Sequence, residues 1–298
     1  DTSQQLYIVM ISVHGLIRSR DLELGRDADT GGQTKYVLDL ARAVGEQPQV
    51  ERVELATRKI VDDEVDDEYS EPIETISEHA RIIRFQAGPE KYLAKEQLWD
   101  YLDGFADELI EWFQLQPRMP DVLHSHYADA GYVAARISYT TGIPVVHTGH
   151  SLGRDKRKRL IASGMTASQL EEKYNISRRI EAEEEVLATA DLVITSTRQE
   201  INDQYELYDF YVPDKMEVIP PGTSLEQFHP PEIGEPDFKL ARSIRKFLDE
   251  PLKPMILALS RPDPRKNIAT LMRAYGESPE LQDIANLVIV AGNRADIR

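Results

Sequence analysis

The sequence predicts an α/β fold: a parallel sheet covered by helices on both faces. Two observations carry that prediction. Short apolar runs alternate with helical patterns along most of the chain, and the runs read as strands buried on both faces. A third observation predicts two domains. Pro220-Pro221-Gly222 opens a proline-rich connection, after which the alternation starts again. The expected division is residues 1–220, a linker 221–252, and 253–298 as the start of a second domain, too short to stand alone.

The first strand is YIVMISV (7–13), followed by a helix from about Gln33 and strands VELAT (53–57) and RIIRF (81–85). From about Lys95, Leu98, Leu102, Phe105, Leu109, Trp112 and Phe113 recur every three or four residues, which predicts one long amphipathic helix. DVLHSH (121–126), PVVHT (144–148), DLVITS (191–196) and MEVIP (216–220) read as further buried strands. Thr-Ala-Ser-Gln from Thr166 is a capping box that starts the helix before DLVITS. In the second domain a helix near 237–249 precedes MILALS (255–260), a helix from about Asn267 and the strand NLVIV. The stretch DDEVDDEYSEPIETISE (62–78) has nine acidic residues and no Lys or Arg. It reads as an exposed, mobile loop without chemistry.

Composition excludes several functions. There is no cysteine, hence no disulfide, thiolate metal site or cysteine nucleophile. No apolar run reaches membrane-spanning length and the N-terminus lacks the pattern of a signal peptide, so a cytoplasmic protein with no membrane partner is expected. The net charge of -17 opposes nonspecific attraction to nucleic acid. The chain starts without Met and stops just after a buried strand; it is expected to be part of a longer protein.

Against that acidic background, HTGHSLGRDKRKR (147–159) places five cations between Arg154 and Arg159. Gly31 and Gly32 precede the first helix, where exposed amides favour an anion or sugar oxygens, although a loop serving packing alone has the same pattern. The loop is neither a G-x-G-x-x-G fingerprint nor a Walker A sequence. His124, His126, His147 and His150 fall at or just after two strand ends, where open parallel sheets bind ligands. Their spacing does not match a zinc motif, so no metal site is expected, and His150 in its loop is the one expected to face a substrate. Arg178 and Arg179 either pair with Glu181 and Glu183 on a helix surface or divide, one toward a site and one outward. Arg261 and Lys266 bracket a loop between a strand and a helix start; they form a diphosphate site or two solvated cations.

In order, GLIRSRDLELGRDADTGGQTKYVLDLARAV (15–44), HTGHSLGRDK (147–156), RRIEAEE (178–184), DLVITSTRQEI (191–201), VIPPG (218–222), SRPDPRKNI (260–268) and GNRADI (292–297) resemble the retaining glycosyltransferases of the two-Rossmann-domain (GT-B) type, in the sucrose synthase and sucrose-phosphate synthase group. The resemblance implies an N-terminal Rossmann-like doubly wound domain that binds acceptor and the beginning of a Rossmann-like nucleotide-sugar domain. It implies transfer of glucose from UDP-glucose, or ADP-glucose, to fructose 6-phosphate, giving sucrose 6-phosphate in sucrose biosynthesis. Gly31, Gly32 and Gln33 would line the sugar site, with Gly32 also touching the donor. Lys95, Lys156 and Arg179 would hold the acceptor phosphate, His150 the transferring glucose, and Arg261 with Lys266 the donor diphosphate. The donor phosphate would itself take the acceptor proton. No resident cofactor is implied, Mg2+ stimulation is left open, and a sucrose-phosphate phosphatase is an expected partner. A glutamate-bearing segment that the family uses to grip the donor lies past Arg298, so this polypeptide alone is expected to be inactive. Sucrose synthase, acting on free fructose, and a noncatalytic sugar-phosphate-binding protein are the alternatives. Free fructose gives no reason for Lys95, Lys156 and Arg179 to converge.

Overall fold

A computed structural model describes residues 5–226, 228–230, 239–260 and 266–291. Strands β1 (Leu6–Ile11), β2 (Val50–Arg58), β3 (Ile73–Ser77), β4 (Ala80–Phe85), β5 (Val122–His126), β6 (Val145–Thr148), β7 (Leu192–Thr195) and β8 (Met216–Val218) form one sheet in the order β3-β4-β2-β1-β5-β6-β7-β8. Every neighbouring pair is parallel except β3 with β4. The chain winds outward from β1 through β2 to β4, then returns to β5 and winds the other way. The reversal falls between β1 and β5, and the crevice at the carboxyl ends of such a pair is where open α/β sheets bind ligands.

Helices cover both faces, and β1 shows why. Val9 and Ile11 point to one side, where they join Phe105 and Leu109 of α2 (Leu102–Gln114), Val133 of α3 (Tyr127–Thr141) and Val186 of α6 (Ile176–Thr189). Met10 points to the other, against Val37 and Ala41 of α1 (Gly32–Gly45). Consecutive residues of a strand face opposite ways, so a strand apolar at every position requires a layer on each side. Leu102, Phe105 and Leu109 are completely buried, each contributing about 1.5–3 kcal/mol relative to exposure.

Three sequence expectations need correction. The helix expected from Lys95 begins as two 3-10 turns, Lys95–Gln97 and Trp99–Tyr101, and becomes α-helical only at Leu102. Thr166 does cap a helix through the predicted box with Gln169, but α5 (Ala167–Tyr174) is short. It follows α4 (Gly153–Ala162) and is separated from α6 by Asn175 in the left-handed region. The acidic stretch is not simply a loop: Asp67–Ser70 forms a 3-10 turn with Tyr69 buried, and β3 pairs with β4. Its charges are compensated from elsewhere, Asp66 and Glu68 by Arg18 and Glu74 by Arg84.

The chain divides into two compact units, Asp1–Gly222 and Thr223–Arg298. The second contains α7 (Lys239–Arg245), β9 (Met255–Leu259), α8 (Ile268–Gly276), α9 (Pro279–Ile284) and β10 (Asn286–Val290), with β9 and β10 parallel. No helix among the described residues is long and apolar enough to cross a membrane.

Candidate active site at the carboxyl edge of the sheet

Just past β1 and β5, His14 Nδ1 meets Asp129 Oδ2 at 2.7 Å, both buried. Burial works against a charged imidazole, but the Asp129 carboxylate outweighs it and holds His14 above its ordinary value. Nearby, Asp29 accepts from the Lys95 backbone N–H at 2.8 Å and from the Lys95 ammonium. That long-range capture takes the first residue of the 3-10 turn. Lys95 also pairs with Glu96 at 3.3 Å. Burial opposes its charge, and the Asp29 contact outweighs that cost, so Lys95 titrates above its ordinary value.

Lys95, Lys156 and Arg179 line one pocket with Glu96, Trp99, Tyr127, Asp129 and Tyr174. Thus the three cations expected to converge do converge, from a 3-10 turn, α4 and α6. Arg179 is 3% exposed; its Nε donates to Glu183 Oε1 at 2.9 Å and its Nη2 to the Ser151 carbonyl at 2.6 Å. Its guanidinium also lies 4.6 Å from the Tyr127 ring centre. Burial disfavours both members of the Arg179–Glu183 pair, lifting the Glu183 carboxyl. Glu183 nevertheless keeps the guanidinium charged, above its ordinary value. Arg178 takes the outward role: half exposed, it pairs with Asp100 at 2.5 Å rather than with Glu181.

Lys156 differs from its two companions. Among the described residues it forms no ion pair; its ammonium rests 3.6 Å from the centre of the Tyr174 ring. Burial, then repulsion from Arg179 and Lys95, pushes its pKa down to about 8. The pocket has about 10 Å3 of open space, roughly one water. A ligand anion would replace an exchangeable cation–π contact. A larger cavity of about 320 Å3 lies at Arg20, Glu68, Glu71 and Glu74; its acidic lining makes it the poorer place for an anion.

The four histidines form a second constellation beside this pocket. His126 Nδ1 lies 3.0 Å from His150 Nε2, His124 Nε2 lies 2.9 Å from Thr148 Oγ1, and His147 Nδ1 lies 2.9 Å from Ser125 Oγ. Alternation along β5 puts His124 and His126 on one face, their ring centres 4.1 Å apart, and turns Ser125 to the other. Burial pushes His124 down to about 4 and His147 to about 3, and His126 falls well below its ordinary value. His150 is also depressed, by crowding and by His124 and His14. The residue is nevertheless exposed at its outer side. Its backbone is left-handed, φ 58°, as is that of Tyr127, φ 78°. Such strain in residues of this size concentrates at functional sites. No group of three or more His, Cys, Asp or Glu among the described residues is placed to hold a metal ion.

Residues 3–223 match the family model described as the sucrose synthase first GT-B domain. The chain belongs to the sucrose synthase and sucrose-phosphate synthase family of GT-B glycosyltransferases. It is 43% identical to a probable sucrose-phosphate synthase of Solanum tuberosum and 42% identical to a sucrose-phosphate synthase of Zea mays. Each alignment covers 99% of this chain and 34% of the relative, so the chain spans about a third of the length of these relatives. The solved sucrose-phosphate synthase of Thermosynechococcus elongatus superposes with a TM-score of 0.68 at 28% identity, over 97% of this chain and 63% of that one.

Within this GT-B framework, Gly31 caps α1 and Gly32 is its first residue. Neither has a positive φ, and a Cβ on either would meet nothing within 4 Å. Backbone geometry therefore does not demand glycine here; what it leaves is open space above a helix start. Gln33 reaches Ser12 Oγ at 3.4 Å. In the second unit Lys266 is exposed, immediately before Asn267 and α8; Arg261 lies outside the described residues. Glu183 was named in the sequence only as a surface partner of Arg179, four residues away; His14, Asp29, Asp129 and Tyr174 were not singled out. His14 had a usable signal, its place directly after the first strand. The others meet their partners across separations such as 66 and 115 residues, which leave no local pattern.

Proposed function

We propose that this chain supplies the acceptor-binding part of a retaining glucosyltransferase that transfers glucose from UDP-glucose to fructose 6-phosphate, forming sucrose 6-phosphate in the cytoplasm. The observation that carries the reading is the pocket shared by Lys95, Lys156 and Arg179. Two of these cations are matched by carboxylates and Lys156 is not. A phosphate entering the pocket gains an ammonium whose charge burial and like-charged neighbours have made costly to hold alone, so binding relieves a penalty as well as forming charge-assisted hydrogen bonds.

The remaining roles follow from chemistry. Neutral His150 would hydrogen-bond a glucose hydroxyl, and Gly31, Gly32 and Gln33 would admit the sugars into the open space at the start of α1. Arg261 and Lys266 would stabilise the charge that builds on the leaving nucleotide phosphate, which is greater in the transition state than in the ground state. That phosphate would take the acceptor proton on the same face, preserving anomeric configuration. The product, a sugar phosphate, would be consumed by a phosphatase.

The matched family domain carries the name of sucrose synthase, which favours a second reading with free fructose as acceptor. An acceptor and donor panel on the full-length protein separates the two. The expected result is turnover with fructose 6-phosphate at least about tenfold above that with fructose, the worth of one charge-assisted contact. Equal use of both acceptors would exclude the proposal. Repeating the panel with ADP-glucose and with added Mg2+ defines the donor and any metal stimulation.

A further inference from the structure

Glu183 has no place in the roles described so far, yet it is the most heavily engaged carboxylate around the pocket. It is 2% exposed. Its oxygens accept from Arg179 Nε at 2.9 Å, from the Gly153 backbone N–H at 3.1 and 2.9 Å, and from the Tyr208 hydroxyl. We propose that Glu183 is a positioning residue for the acceptor phosphate, fixing Arg179 and the first turn of α4 against each other and thereby setting where Lys156 stands relative to Arg179. The inference rests on the reading of this pocket as a phosphate site.

Three observations support it. Leu152, at the N-cap of α4, offers no side-chain cap; Glu183 reaches across from α6 to satisfy the first amide instead, with its charge at the favourable end of the helix dipole. Lys156 stands three residues beyond that amide, so the same bond that starts the helix locates the lysine. Gly153 has no Cβ at the point of contact: one there would lie 2.7 Å from Glu183 Oε2 and 2.9 Å from Ile180 Cγ1. Finally, Glu183 takes Nε of Arg179 while Ser151 takes Nη2. Nη1 is then the guanidinium nitrogen without a protein hydrogen bond among the described residues, which leaves its two N–H donors for ligand oxygens. A carboxylate that served only to neutralise Arg179 would need neither the Gly153 amide nor Tyr208.

The test is steady-state kinetics on full-length protein carrying Glu183→Gln or Tyr208→Phe, with circular dichroism to check folding. Glu183→Gln is expected to raise KM for fructose 6-phosphate about tenfold, while KM for UDP-glucose stays within about twofold, a split that general destabilisation would not produce. Tyr208→Phe keeps the carboxylate and its charge, so it remains informative if the first variant misfolds; a rise of about threefold in the same KM is expected. In an Arg179→Lys background the effect of Glu183→Gln should shrink to within about twofold, since coupled residues do not add. The inference is overturned if the folded variants leave the fructose 6-phosphate KM unchanged, or if both substrate KM values move together. Were the unmutated protein to use fructose and fructose 6-phosphate equally, the phosphate-site reading itself would fail; a preserved preference with indifferent Glu183 and Tyr208 variants would remove this inference alone.

Discussion

The cationic pocket and the histidine constellation sit side by side at the carboxyl edge of one sheet, and burial acts on them in opposite ways. In the pocket, Lys95 and Arg179 keep their charges because Asp29 and Glu183 stand against them. Among the histidines no carboxylate contacts His124, His126, His147 or His150 in any described hydrogen bond, and burial holds the rings neutral. The nearby exception is instructive: His14 has Asp129, and its shift is upward. A buried basic group is charged or neutral according to whether an acid accompanies it. One region is thereby suited to an anion and the other to uncharged hydroxyls.

The largest expected consequence is at Lys156, which combines the incomplete neutralisation of a ligand site with a place in the pocket. In full-length protein Lys156→Ala should raise KM for fructose 6-phosphate roughly 10- to 100-fold, the equivalent of about 1.5–3 kcal/mol for a hydrogen bond to a charged group, measured by initial rates with donor saturating. A change no larger than that of a surface lysine would dissolve the distinction between the two regions.

Protonation sharpens the same comparison. With a pKa pushed down to about 8, Lys156 loses its proton as pH rises through that value, so affinity for the phosphate should be steady from about pH 6.5 to 7.5 and fall above about 8. The histidine region should be silent in that window, because His124 and His147 titrate near 4 and 3. A KM profile against pH, compared with the same profile for Lys156→Gln, would show the alkaline limb disappear in the variant.

A smaller effect is expected at His150. His150→Ala should lower kcat/KM about tenfold or less, as befits a neutral hydrogen bond, with the fructose 6-phosphate KM nearly unchanged. The smallest effect belongs to the outer face of α4. Arg157 and Lys158 are exposed and carry no described ion pair, so replacing either by Ala should alter KM by less than about twofold. Of the five clustered cations Arg154 is engaged with Glu184, Arg159 with Asp155, and Lys156 turns to the pocket.

The parts of this design that repeat along the chain were legible beforehand. Apolar runs placed the parallel strands, with β1, β5 and β6 falling where expected, and the Thr166 capping box located a helix start. The family resemblance named Lys95, Lys156 and Arg179 together, and they line one pocket. What sequence spacing could not show were the counter-charges. Asp29 and Lys95 are joined by tertiary geometry alone, and Glu183 looked like an ordinary i+4 partner of Arg179 because nothing local reveals that both are buried. β3 was hidden by composition: in Ile-Glu-Thr-Ile-Ser the acidic neighbourhood outweighed a short edge strand whose charge is answered by Arg84. The two 3-10 turns before α2 were hidden for the converse reason, since they keep the apolar stripe inward while Asp29 claims the first amide.

Calorimetric titration of the full-length protein with fructose 6-phosphate and with fructose, before and after Lys156→Ala, tests the central claim most directly. The account predicts that the unmutated protein binds the phosphorylated sugar at least about tenfold more tightly and that the substitution removes most of that difference. Equal binding of the two sugars, or a preference that survives loss of Lys156 intact, would contradict it.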